Sequence, residues 1–194
     1  MILKVIGGFF MDIIETSVAA LSIFLVVYLF LMQPHQVNGN SMYPSFEDRE
    51  YLMTDKISYR TGDPKRGDIV VFHAPPSAHC PSGTGCDFIK RVIGLPGEVV
   101  EVTRGQIYLN NQPLAEEYLP DSFVTHPGYF TSSGPVVVPP GEYFVVGDNR
   151  NHSSDSRAFG FVPKENIVGK VFFRYWPLDR MGGISAADYD FFSE

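Results

Sequence analysis

Residues 87–109 read DFIKRVIGLPGEVVEVTRGQIYL, and the way this run is read decides the fold. β-Branched and aromatic residues fill positions 88–93, 98–103 and 106–109, separated by Gly-Leu-Pro-Gly and by Arg104-Gly105. Apolar runs of this length bounded by Gly and Pro predict strands, and the last two predict a hairpin turning at Arg104-Gly105. Within the first strand, alternation places Phe88, Lys90 and Val92 on one face and Ile89, Arg91 and Ile93 on the other. Working outward, residues 69–73 (IVVFH), 143–146 (YFVV) and 168–176 (VGKVFFRYW) repeat the pattern, with Gly, Pro and Asn between them. No helix-period stretch competes after Met32. The prediction is a mostly β domain, a compact and largely antiparallel barrel or folded sheet.

Toward the N-terminus the chemistry changes. Residues 16–32, TSVAALSIFLVVYLFLM, carry no charge, and Ile13 and Ile14 extend the run to the length that spans a bilayer as one helix. A core helix would show a polar stripe, and this one is apolar all round. A cleaved leader fits poorly, because Gln33-Pro34-His35 offers no small-x-small site. Lys4 precedes the run and no Lys or Arg follows it before Arg49, which favours a cytoplasmic N-terminus and a folded domain outside. The expected division is 1–33 for a short cytoplasmic end and anchor, 34–185 for an extracytoplasmic β domain, and 186–194 for an acidic tail.

Composition narrows the partners. Fifteen basic against 22 acidic side chains give a net charge of −7, which argues against nucleic acid. Cys80 and Cys86 enclose five residues with Pro and two Gly. They read as a disulfide, as two free thiols, or as half a metal site with His73 and His79; the first requires an oxidising compartment.

Three features carry chemistry. A lysine flanked along its strand face by Phe88 and Val92 is either partly dehydrated, and then a candidate base, or an edge lysine with its head in water. Ser41, in VNGNSMYPSF (37–46), is the hydroxyl such a base would serve; otherwise it is a turn serine. Gly39 and Pro44 keep that backbone tight, so its amides could face an oxyanion. Residues 147–160, GDNRNHSSDSRAFG, pack serines, arginines and aspartates densely enough for a carboxylate–arginine network with a hydroxyl facing the amine. His152 lies among them, as a Ser-His alternative or a solvated loop histidine.

Together these stretches resemble the type I signal peptidases, Ser-Lys endopeptidases. NSMYPSF resembles the family's nucleophile box, KRGDIVVF (65–72) the strand box that follows, DFIKRVIGLPG the lysine box, and GDNRNHSSDSRAFG the last box, all in the family's order from about Pro34 to Val171. The resemblance implies Ser41 as nucleophile and Lys90 as general base. It implies Ser153 as the hydroxyl that orients Lys90, and Asp155 with Arg157 as a bracing ion pair beside Arg91. Substrates would be secretory preproteins with small residues at −1 and −3, received by Val37, Gly39, Met42, Phe88 and Ile89. No cofactor or metal is implied, and a monomer in the cell membrane is expected. Gly39 stands where some members carry an oxyanion-binding serine, as in the shorter, single-span branch. Other anchored Ser-Lys processing peptidases, self-cleaving repressors and an inactive peptide-binding β module remain as alternatives.

Overall fold

The computed structural model describes residues 2–78, 86–187 and 189. A helix, α1 (Ile2–Val26), leads through a five-residue π-helical turn (Val27–Leu31) directly into β1 (Met32–Gln36). Gly7–Val26 is long and apolar enough to cross a membrane and is not buried against the rest of the protein. The helix ends earlier than the apolar run predicts. Met32 turns extended, and its strand pairs with β2 (Tyr51–Asp55) from Met32↔Asp55 to Gln36↔Tyr51. That pairing supplies partners for backbone groups that a longer helix would otherwise satisfy internally.

The remaining elements are α2 (Ser58–Thr61), β3 (Ile69–His73), β4 (Asp87–Gly94), β5 (Val99–Thr103), β6 (Gln106–Leu109), β7 (Gln112–Pro113), β8 (Val136–Val137), β9 (Glu142–Val146), α3 (Ser156–Phe159), β10 (Val162–Pro163), β11 (Ile167–Trp176) and β12 (Gly182–Gly183). One sheet runs β1-β2-β11-β3-β4-β9-β10, with β12 added to β11, and a second runs β7-β6-β5-β8. Every pairing is antiparallel. The sheets are open, so the architecture is the folded sheet of the two expected forms and not a closed barrel. Arg104 and Gly105 both take positive φ, the signature of a tight two-residue hairpin turn between β5 and β6.

Among the described residues, three apolar clusters form the core. Val100, Val102, Ile107 and Leu109 of the small sheet pack on Ile93, Phe144 and Val146, while Val70, Phe72, Val92 and Val145 fill a second cluster. The third joins Val37, Met42 and Phe46, from the turn after β1, to Leu52, Ile69 and Val71, with Ile89 beside it. Strand β4 therefore buries both faces from Lys90 onward, which explains its unbroken apolar character there. Of the expected tail, Ala187 donates to the Gly67 carbonyl and Tyr189 packs on the first cluster.

One feature of β4 prepares the site. It pairs with β3 along its length, from His73↔Asp87 to Ile69↔Arg91, but β9 begins to pair only at Arg91. Ala74 donates to Cys86 and Val92 to Asp68, so even-numbered backbone groups of β4 face β3. The N–H and C=O groups of Asp87 and Ile89 consequently face the other way, along an edge that no strand among the described residues covers.

Candidate active site

Lys90 stands where this open edge ends. Its side chain follows Phe88 and Val92 on their face, as alternation predicts, and its Nζ lies 5.1 Å from the Phe88 ring centroid. The residue is 4% exposed. Nζ donates to Ser41 Oγ at 2.8 Å and to the Ile89 carbonyl at 2.9 Å. Burial among apolar neighbours disfavours the ammonium and pulls its pKa down from 10.5 to about 8. Asp155 and Asp148 oppose that shift and Arg157 assists it. Burial wins because each carboxylate is already engaged by an arginine.

Asp155 holds Arg157 through Nε and Nη2, both at 2.8 Å, accepts the Gly147 amide at 3.0 Å, and caps α3 by accepting the Arg157 amide. Asp148 takes Arg91 in two hydrogen bonds of 2.9 and 2.6 Å and the Ser45 hydroxyl at 2.6 Å. The Arg91 guanidinium lies over the Tyr118 ring at 4.1 Å. Arg150 pairs with Glu116 and donates to the Gly147 carbonyl. Each of these buried arginines and carboxylates has its counter-ion and hydrogen bonds, the condition under which such pairs are tolerated.

Ser41 is fixed by the loop that follows β9. The Asn149 amide donates to the Ser41 carbonyl at 3.0 Å, and its side chain donates to the Asn40 carbonyl at the same distance. Gly147 permits this approach: a Cβ there would collide with the Ser153 hydroxyl and the Ser41 carbonyl oxygen. Gly39 has φ near +86° and donates its amide to Asp48 at 2.7 Å.

A cleft of about 300 Å³ opens over these groups. It is lined by Ser41 and Lys90 and by all five residues expected to receive substrate, Val37, Gly39, Met42, Phe88 and Ile89. Gln36, Asp87 and Ser154 add a polar rim that the sequence did not mark, and His152, the alternative partner for a serine, lines the cleft as well. Such an arrangement can deprotonate a hydroxyl in a dry setting beside an extended-peptide edge.

Two expected contacts differ. Ser153 Oγ is buried beside Gly147 without a hydrogen-bond partner and does not reach Lys90, whose donors go to Ser41 and to Ile89. Arg91 joins Asp148, because its strand face points away from Asp155 and toward the Ser41 turn. Asp148 sat inside a quoted stretch, but nothing in the sequence distinguished it from a turn aspartate. Cys86 is disulfide-bonded, and Cys80 and His79 lie outside the described residues. His73 pairs with Asp87 at 2.7 Å. Among the described residues, no group of three or more His, Cys, Asp or Glu is placed to hold a metal.

A family model described as signal peptidase, peptidase S26, matches residues 10–176. The chain belongs to that family. Among S26 relatives it is 41% identical over 174 residues to a signal peptidase I of Leptolyngbya laminosa, covering 89% of this chain and 82% of that one. It is 38% identical over 178 residues to signal peptidase IB of Staphylococcus aureus, covering 86% and 88%. A crystal structure of a signal peptidase I from Enterococcus faecalis V583 aligns with 56% of this chain and 97% of its own, at 38% identity and a TM-score of 0.44.

Proposed function

We propose that this chain is a membrane-anchored serine endopeptidase that removes N-terminal signal peptides from exported preproteins, with Ser41 as nucleophile and Lys90 as general base. The observation that carries the assignment is the 2.8 Å contact between Ser41 Oγ and the Nζ of a lysine that is 4% exposed. At that distance the contact reverses when Lys90 is neutral: the hydroxyl donates and the amine accepts.

The preprotein lies extended along the open edge of β4, bonded to the Asp87 and Ile89 backbone. The apolar wall of Val37, Met42 and Ile89 leaves room only for small side chains at −1 and −3. Lys90 takes the Ser41 proton as Oγ attacks the carbonyl of residue −1, and the oxyanion meets the Ser41 amide, which has no acceptor among the described residues. Lys90 then gives the proton to the leaving amine. The C–N bond breaks, and an ester joins Ser41 to the signal peptide. Water, losing its proton to Lys90, hydrolyses that ester and restores Ser41. Asp155 with Arg157, and Asp148 with Arg91, hold the loop and the lysine strand in place without touching the reacting atoms. The second oxyanion donor does not come from Gly39, whose amide is given to Asp48.

Helix α1 holds the site near the membrane surface, where a signal peptide's cleavage point also emerges, and the catalytic domain faces away from the cytoplasm. Disulfide-bonded Cys86 and Lys4, which precedes the apolar Gly7–Val26 span of the helix, support that orientation. The test is full-length enzyme in detergent with a preprotein carrying Ala-x-Ala, its products mapped by mass spectrometry. One cut after the second Ala is expected; no cut, or a cut elsewhere, defeats the reading.

A further inference from the structure

The two ends of the cleft differ in character. Its middle is walled by Val37, Met42 and Ile89, whereas Asp87 and Gln36 line it at the end away from Lys90. Asp87 does not stand alone there. Its Oδ1 lies 2.7 Å from His73 Nδ1, across the β3–β4 pair, and its Oδ2 lies 3.8 Å from His35 Nε2 on β1. The second distance is too long for a hydrogen bond. His35 Nε2 is buried without a hydrogen-bond partner, although Nδ1 of the same ring is 3.0 Å from Thr54 Oγ1. Burial holds the His35 pKa below 6.5, with Lys56 and His73 adding to the effect and Asp87 opposing it. A neutral His35 leaves the Asp87 charge uncancelled from that side. The Asp87 side chain is 34% exposed and lines the cleft, within reach of a ligand there.

Strand geometry fixes what would meet it. With the scissile carbonyl at Ser41, the residues before the cut run toward Asp87, parallel to β4. Two residues advance about 6.6 Å on either strand, and side chains two apart share a face. If Ile89 borders the position −3 side chain, Asp87 borders that of position −5. We infer that Asp87, set between His73 and His35, forms a subsite that favours a cationic side chain at position −5 of the substrate and disfavours an acidic one. The inference rests on the peptidase reading above and adds a specificity element beyond the small residues at −1 and −3.

Three peptides, identical in Ala at −1 and −3 and carrying Lys, Ser or Glu at −5, compete for full-length enzyme in detergent. Relative kcat/KM follows from product masses. The Lys peptide is expected to exceed the Glu peptide by roughly 5- to 10-fold, as suits one partly exposed charge pair. Raising salt from about 0.05 M to about 1 M should bring the ratio toward one. Asp87→Asn should bring it to one at low salt, and Asp87→Glu should keep it. A wild-type ratio near one overturns the subsite, as does a ratio that survives in Asp87→Asn. The wild-type ratio and its salt dependence decide the matter even if a variant folds poorly. Failure to cut the Ser peptide after the −1 Ala would instead bring down the peptidase reading and the subsite with it.

Discussion

Burial brings Lys90 down to about 8, so near neutral pH a minority of molecules hold the neutral amine that the proposed mechanism requires. The neutral fraction grows about tenfold per pH unit below that value and levels off above it. Accordingly kcat/KM for a small-x-small peptide should climb between about pH 6 and 8 and flatten above about 9; a flat profile across that range would count against Lys90 as the base. The same burial weighs on stability. In the unfolded chain the lysine titrates near 10.5, so as pH falls from there the unfolded state takes up its proton first. Stability is lost through the window from about 10.5 to about 8, and the deficit persists below it. Lys90→Met removes that deficit. Denaturant titration at pH 7 should find the variant more stable by on the order of 1–3 kcal/mol, although inactive; at pH 11 the gain should vanish.

At the scale of elements, the site depends on how closely the loop after β9 approaches the Ser41 turn. Gly147 permits that contact, because any Cβ there meets Ser153 and the Ser41 carbonyl. Gly147→Ala should push the turn off the lysine and lower kcat/KM by on the order of 100-fold, with a smaller change in KM. An unchanged kcat would mean that the contact is not what positions Ser41. This scale also shows what the sequence made legible. Strands at β3–β6, β9 and β11 stood out because β-branched and aromatic runs ended at Gly, Pro or Asn. Strand β1, MQPHQ, is polar and contains Pro34; it is a strand only because β2 pairs with it at a sheet edge. The Ser41–Lys90 pairing came from four boxes in register with a family, not from spacing, since 49 residues separate the two. The partner of Arg91 was not legible, because strand alternation gives a face but not which loop covers it.

For the molecule as a whole, α1 and the β domain are joined by a five-residue turn that passes straight into β1. Deleting residues 1–30 leaves β1, its pairing with β2 and the Leu31 carbonyl that accepts the Lys56 amide. The shortened protein should cut a short soluble peptide with kcat/KM within about threefold of the full chain and lose its advantage on a preprotein embedded in vesicles, since only local concentration changes. Equal loss on both substrates would mean that the helix supports the fold rather than the encounter with substrate.

The central claim is that a bond forms between Ser41 and the signal peptide and that Lys90 makes it form. Acid-quenching the enzyme within its first turnovers of a preprotein, followed by proteolysis and mass spectrometry, reads this directly. The account predicts an ester adduct of the signal-peptide fragment on Ser41 in the native enzyme, and none in Lys90→Met. An adduct on another residue, or one that appears on Ser41 at the native rate without Lys90, would contradict it.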